Sequence, residues 1–347
     1  MRALDFFCGA GGFTAGLRRS GIEVLAGIDA NESCRDTYTL NNPGSQFICA
    51  DIRSLDARAL KAALPEVRAN DDDLVFVGCA PCQPFSQQRR ATKPHPDGTL
   101  LGRFGLLVDE YRPGYVVVEN VPGIAAVTGN SSFNRFVRML ERANYSVECE
   151  VRDAKQYGVP QSRRRLVLIA SRVCEASLPT PTHGPGLLPW RTVKDTIAKY
   201  PRLAAGATSA NTPNHQASAL SPLNAKRMRN TPKDGGSRAS WPDSLVLDCH
   251  KNGHRGHSDV YGRMRWDHPA PTLTGRCHSI SNGRFGHPEQ NRALSLREAA
   301  ALQTFSDDYK FYGSMRGIAL QVGNAVPVDL AHVLGKHLLS MTQVEEG

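Results

Sequence analysis

No stretch of the sequence approaches the roughly 20 consecutive apolar residues that cross a bilayer. Nothing at its start has the charged-then-apolar layout of a secretory leader, since residues 2–12, RALDFFCGAGG, are short and glycine-rich. A soluble, cytoplasmic protein that keeps away from membranes is therefore expected. The nine cysteines are scattered without regular spacing, which excludes a small disulfide-framed fold and suits a reducing compartment. A zinc pattern is missing as well. Cys249, His250, His254 and His257, with Cys277 and His278 further on, come nearest, but their spacing fits no standard ligand set, so no metal is expected and a loop facing nucleic acid is the preferred reading. The N-terminal glycines do not fall on G-x-G-x-x-G, which argues against a nicotinamide or flavin cofactor and for another adenosine-containing one.

At 347 residues with 40% hydrophobic content, the chain can bury a sizeable core and is expected to form two domains. Charge divides it unevenly. Residues 1–150 hold 16 Lys+Arg against 18 Asp+Glu and residues 151–347 hold 26 against 15, nets of −2 and +11 that recover the overall +9. Between residues 181 and 292 there are 16 basic and 7 acidic side chains. A near-neutral half joined to a basic half is the footprint of a catalytic scaffold beside a polyanion-binding surface. Charge alone leaves an ordinary solvated surface open.

Residues 74–77, LVFV, follow three aspartates and close on Gly78, which reads as a buried central strand of a parallel sheet. The strand empties into residues 78–86, GCAPCQPFS, a loop stiffened by Pro81 and Pro84 with Cys82 at its centre. Ligands of such sheets bind at the carboxyl ends of strands, so this thiol stands where chemistry is expected; the stretch alone leaves a buried structural cysteine open. Residues 3–6 form a similar strand that breaks into the glycines of 8–12 and then a helix at 13–19, letting backbone pass close to a ligand. A second strand, 23–28, ends in Asp29, placed to accept hydrogen bonds from a ribose, and residues 47–49 followed by Asp51 and Ile52 repeat the pattern. A glycine turn with no ligand remains open from these residues alone. After a polar segment at 87–98, residues 100–111 read as a helix and 115–118 as a strand that brings Glu119 to the same sheet edge as Cys82. A nucleophile with a nearby acid is what covalent catalysis needs. Residues 161–165 lead into a strand at 166–171, and strand alternation puts Arg163 and Arg165 on one face, able to orient a planar carbonyl-bearing substrate. Regular signals then fade until Ser295, which with Glu298 makes a capping box for a helix at 295–305.

Six motifs in order, DFFCGAGG (5–12), PCQ (81–83), ENV (119–121), Q-x-R-x-R (161–165), HPEQNRALSLREAAALQTF (287–305) and GNAVP (323–327), closely resemble the C5-cytosine DNA methyltransferases of the bacterial modification type. Each is weak singly and the ordered set is specific. The resemblance covers residues 1–171 and 271–334, roughly two thirds of the chain. It implies an α/β fold: a doubly wound, mostly parallel sheet of the S-adenosylmethionine-dependent methyltransferase type with a second, smaller, irregular DNA-recognition domain. The expected bounds are 1–178 for the catalytic domain, 179–293 for target recognition and 294–347 for a segment rejoining the first. It implies S-adenosyl-L-methionine as cofactor, lined by Phe7, Gly9, Gly11 and Pro81, with Asp29 on the ribose, Asp51 and Ile52 on the adenine, and Leu100, Asn324 and Val326 as further contacts. Cys82 matches the family nucleophile, Glu119 would serve cytosine N3, and Arg165 helped by Arg163 the O2 side. The target base would be flipped out of a duplex, with residues 86–93, among them Ser86, Gln87, Arg89, Arg90 and Lys93, closing over it. Arg227, Arg229, Arg263, Arg265 and Thr274 are the basic-segment candidates for DNA contact.

Two departures from the family pattern, Ala30 where a bulky residue is common and Ser306 where proline is, leave the chemistry untouched. Double-stranded DNA is the expected partner, with a functional pairing to a restriction endonuclease and a monomeric enzyme. Three rivals stand beside this reading: a tRNA cytosine-5 methyltransferase, a catalytically silent DNA-binding regulator, and a thiol-redox site at Cys79 and Cys82. The acidic or Ser/Asn residue followed by Pro-Pro and an aromatic that marks amino-group methyltransferases does not occur.

Overall fold

The computed structural model describes residues 1–81, 100–124, 131–251 and 259–343. Two compact units emerge, the first comprising Met1–Tyr157, Arg164–Pro181 and Val328–Gly347, the second Gly158–Arg163 and Thr182–Pro327. The first contains β1 (Arg2–Phe6), α1 (Gly12–Ser20), β2 (Glu23–Asp29), α2 (Arg35–Asn41), β3 (Gln46–Cys49), α3 (Ala57–Ala63), β4 (Leu74–Gly78), α4 (Leu100–Tyr111), β5 (Tyr115–Asn120), α5 (Ser132–Arg142) and β6 (Ser146–Asp153). The chain leaves it for β7 (Gln161–Ser162) and returns for β8 (Arg164–Ser171). The second unit holds α6 (Val193–Ile197), α7 (Pro222–Asn230), β9 (Ala270–Pro271), α8 (Leu296–Leu302) and α9 (Met315–Asn324), and α10 (Val328–Gln343) closes the first.

In the first unit the strands form one sheet in the order β3-β2-β1-β4-β5-β8-β6. β3, β2, β1, β4 and β5 run parallel, and β8 is antiparallel to both of its neighbours. Apolar runs buried on both faces, such as β4 and β5, suit a sheet covered by helices on each side. The rings of Phe6, Phe76 and Phe104 meet with centroids 5.1 and 5.3 Å apart, joining β1 and β4 to α4. On the opposite face α1 lies so close to α10 that a Cβ on Gly16 would collide with Ala331. Strand order reverses between β1 and β4, so the carboxyl ends of these two strands flank the switch point at which ligands of such sheets bind.

The second unit is mostly loop, and fully buried arginines carry much of its interior. Loops leave carbonyls unpaired, and a guanidinium brings five donors to meet them. Arg263 donates to the carbonyls of Thr231, Met228, His287 and Gln290 and to Asn291 Oδ1. Arg292 holds Glu298 through two 2.7 Å bonds while Ser295 and Glu298 cap α8 reciprocally. That anchoring keeps α8 and α9 in this unit, so the chain rejoins the first at Val328 rather than near Leu294. By length and composition one helical stretch, Met315–Thr342, is apolar enough to cross a membrane, but Pro327 divides it between α9 and α10 and 61% of the window is buried, as in a core helix.

Candidate active site at the sheet edge

The glycine turn after β1 is built from unusual backbone. Phe7, Gly9 and Gly11 all take positive φ, +63°, +50° and +84°, and for Phe7 the left-handed region costs about 1 kcal/mol that the surroundings must offset. The offset is visible: the Phe7 and Cys8 amides both donate to the Ile28 carbonyl, at 2.7 and 3.2 Å. The Gly9 amide donates to Asp29 Oδ2 at 2.8 Å, and the Asn31 amide to Asp29 Oδ1 at 2.8 Å. Burial raises the Asp29 pKa, and those two amides pull against it. A Cβ on Gly9 would meet nothing within 4 Å, so open space lies over the turn.

Sequence reasoning passed over Asp5, although a lone carboxylate within an apolar strand is a signal. Gly11 stands at the N-cap of α1 and has no side chain to cap with. Asp5 on β1 does so from outside, accepting from the Thr14 amide at 3.1 Å and its hydroxyl at 2.7 Å. Its Oδ1 is buried with no hydrogen-bond partner. Burial, ahead of all other causes, lifts its pKa to about 7.

At the end of β5, Glu119 Oε1 lies 3.0 Å from Arg165 Nε on the neighbouring β8, too poorly aligned for a hydrogen bond, and that oxygen is buried with no other partner. The next residue, Asn120, also escaped notice. Its Nδ2 donates to the Ala80 carbonyl at 3.1 Å, and its Oδ1 accepts from the Val121 amide at 2.8 Å. Asn120 thereby ties the strand carrying Glu119 to the segment that leads to Cys82. Cys82 itself, with Ser86, Gln87, Arg89, Arg90, Lys93, His254 and His257, lies outside the described residues.

The remaining expected residues divide clearly. Asp51, past the end of β3, is engaged by Arg53 through side chain and backbone, which lowers its pKa. Ile52 and Leu100 sit in the core of the first unit, and Pro81 is exposed. Asn324 and Val326 belong to the second unit, Asn324 exposed and Val326 buried.

Arg163 requires correction. β7 stops at Ser162 and β8 starts at Arg164, so no strand alternation relates Arg163 to Arg165. Its buried guanidinium donates instead to the carbonyls of Leu273, Gly323 and Ala325. Arg263 and Arg227 fail as DNA contacts for the same reason: Arg263 is 1% exposed and fully occupied, and Arg227 donates to the Leu245 carbonyl under the rings of Trp241 and Tyr261. Arg229 and Arg265 are exposed, and Thr274 is half-buried with its hydroxyl accepting from the Arg276 amide. Among the described residues no group of three or more His, Cys, Asp or Glu side chains is arranged to hold a metal.

Residues 1–340 match the C-5 cytosine-specific DNA methylase family. The type II methylase M.HgiDII of Herpetosiphon aurantiacus is 41% identical over 340 residues, spanning 96% of this chain and 94% of its own. The type II methyltransferase M1.HphI of Haemophilus parahaemolyticus is 34% identical over 346 residues, spanning 99% and 87%. In fold, the chain is similar to a prophage-encoded DNA modification methyltransferase of E. coli, with a TM-score of 0.77, 20% identity and 99% of each chain covered. A doubly wound sheet with its switch point at the glycine turn, a strand-end glutamate facing an arginine, and a family match along nearly the whole length converge on one conclusion: this chain belongs to the C-5 cytosine-specific DNA methylases and is an enzyme of that kind.

Proposed function

We propose that this enzyme is the modification methyltransferase of a restriction-modification system, acting in the cytoplasm as a monomer. It transfers a methyl group from S-adenosyl-L-methionine to C5 of a cytosine flipped out of a specific duplex sequence. The type II names of its relatives support the biological role. The first unit's residues suit the cofactor: Gly9 leaves space over the turn, Asp29 presents a carboxylate at the end of β2, and Asp5 keeps a buried oxygen without a partner. When bound, the cofactor supplies an electrophilic methyl group on a sulfonium.

Cytosine C5 is a poor carbon nucleophile. Cys82 adds its sulfur to C6 and makes C5 the nucleophilic end of an enamine, while negative charge spreads toward N3 and O2. Glu119 donates a proton to N3 as that charge forms and takes it back when the ring is restored, while Arg165 donates hydrogen bonds on the O2 side. After transfer a base removes the C5 proton and Cys82 leaves, restoring the ring. The observation that carries this reading is Glu119 Oε1, buried, without a hydrogen bond, and 3.0 Å from Arg165 Nε, one residue from the Asn120 tie to Ala80. An acid held this way beside a guanidinium has its remaining valence free for a ligand.

Bisulfite sequencing of random-sequence duplex DNA, after incubation with enzyme and cofactor, tests the proposal. Protected cytosines in one short repeated context are expected. No protection by a folded, cofactor-binding protein would favour RNA or a silent binder, and the same assay on tRNA separates those two. Cys82→Ser is expected to keep cofactor and DNA binding and to lose turnover; methylation at the normal rate by that variant refutes the covalent route.

A further inference from the structure

In the second unit residues 274–278 run along α9 in the opposite direction. A Cβ on Gly323 would collide with the Thr274 backbone, and one on Gly275 would lie 2.7 Å from Leu320 Cδ1. The Cys277 thiol reaches the Ala319 carbonyl at 4.0 Å, and His278 comes within the field of Arg316. Close approach at two glycines lets this strap lie flat on the helix. The outward face of α9 carries Arg316, Leu320 and Asn324 at a spacing of four, all exposed, and Arg276 stands exposed on the strap beside them.

Among the described residues no carboxylate pairs with the charges of this ridge. After burial, Arg276 and Arg316 are the groups that push the His278 pKa down, and no carboxylate acts on it. Its Nδ1 is buried without a hydrogen-bond partner. The Arg276 guanidinium donates, among the described residues, to the neutral Asn282 Oδ1 alone, at 3.4 Å. Among the described residues Lys199, Arg202, Lys251, Arg284 and Arg292 of this unit stand in ion pairs, as do His268 and His287, whereas Arg276 and Arg316 do not. Arg316 also occupies the first turn of α9, where the helix dipole favours an acid and none is present. Two guanidiniums from two elements, beside an uncharged imidazole and with no opposing charge among the described residues, repel each other until an anion joins them.

We infer that Arg276, His278 and Arg316 form a site for a backbone phosphate of duplex DNA, presented by the strap on α9. The inference rests on the DNA-methyltransferase reading above and adds where the polyanion is gripped. A base edge bears no net charge, whereas converging cations match a phosphate, which fixes register and orientation rather than sequence.

The test is DNA affinity against salt concentration for Arg276→Ala and Arg316→Ala, with bisulfite protection measured on the same DNA. Each variant is expected to lower the slope of log K against log salt by about one and to weaken binding about eightfold near 0.1 M salt, equally on cognate and random duplexes. Arg276→Lys and Arg316→Lys are expected to keep the slope. Arg202→Ala, which removes a cation of the same unit paired loosely with Glu289 at 3.8 Å, is expected to leave it unchanged. Both arginines are exposed, and a melting temperature shared with the wild type checks that the variants fold. Unchanged slopes with normal wild-type protection overturn the phosphate site alone. An intact slope with an altered protected context also overturns it, by assigning these arginines to base reading. A wild type that protects no cytosine overturns the methyltransferase reading and the phosphate site with it.

Discussion

Replacing Arg263 with methionine is expected to destabilise the second unit by about 4 kcal/mol without removing a DNA contact. The side chain is 1% exposed and donates to four backbone carbonyls and to Asn291 Oδ1. Leaving three buried carbonyls without that donor costs about 2 kcal/mol each, and the partly buried Gln290 carbonyl and Asn291 Oδ1, which water can reach, about 0.5 each, roughly 7 in all. Against this, burial lowers the Arg263 pKa from 12.5 to about 10, so removing an ill-solvated cation relieves about 3 kcal/mol. Methionine fills much of the same volume and limits any cavity term. For a unit of about 150 residues the remainder corresponds to a fall of roughly 8–16 °C in melting temperature. Urea unfolding and thermal melting measure it, followed by DNA binding at a temperature where the variant is folded. A variant that melts with the wild type yet loses DNA affinity would refute the reasoning and restore Arg263 as a DNA contact.

Asp5 keeps a proton to about pH 7 in the native state but loses it near 3.8 when unfolded, so its contribution is full below about pH 4 and falls as pH rises to 7. Asp5→Asn is expected to remove that slope from urea midpoints measured between those limits, and an unchanged slope counts against a protonated Asp5. His287 has the opposite sign: burial lowers its pKa from 6.5 to about 4, so its contribution is full above about pH 6.5 and is lost as pH falls toward 4. His287→Asn is expected to protect stability over that acid range, and equal acid sensitivity in variant and wild type would dismiss the assignment. Asn120→Ala frees the Ala80 carbonyl and is expected to lower kcat by about 10–100-fold with cofactor and DNA dissociation constants unchanged; matching losses in binding and turnover would make Asn120 merely structural.

The parallel sheet was legible because β4 and β5 are apolar on both faces and end in sharp breaks, Gly78 and Asn120. Strand ends carry the chemistry in such folds, which is why Asp29, Cys82 and Glu119 stand out in the sequence itself. Arg163 was misread because two residues of β7 and the start of β8 look like one strand in sequence, and only the sheets they join tell them apart. The boundary near Leu294 had a similar cause. A capping box announces a helix at Ser295, but nothing local says which core the helix joins; the Arg292 pair with Glu298 decides that. Asn120 gave no local signal, and Asp5 showed only as a carboxylate in an apolar strand with no hint of its task, because their roles are hydrogen bonds to residues 40 and 9 positions away.

The basic excess of the middle segment has two origins that sequence cannot separate. Irregular backbone needs donors, and Arg227, Arg263, Arg284 and Arg292 meet that need by binding carbonyls of their own unit. Arg229, Arg265, Arg276 and Arg316, by contrast, lie at the surface. Counterion release depends on phosphates neutralised rather than on formal charge. The salt dependence of DNA binding should therefore follow these exposed cations and fall well short of what 16 basic residues between 181 and 292 suggest. If removing Arg229 or Arg265 moves the slope as much as removing Arg276, the phosphate-contacting face extends across α7 and the segment after Arg263; if only Arg276 and Arg316 matter, the grip is confined to the strap on α9.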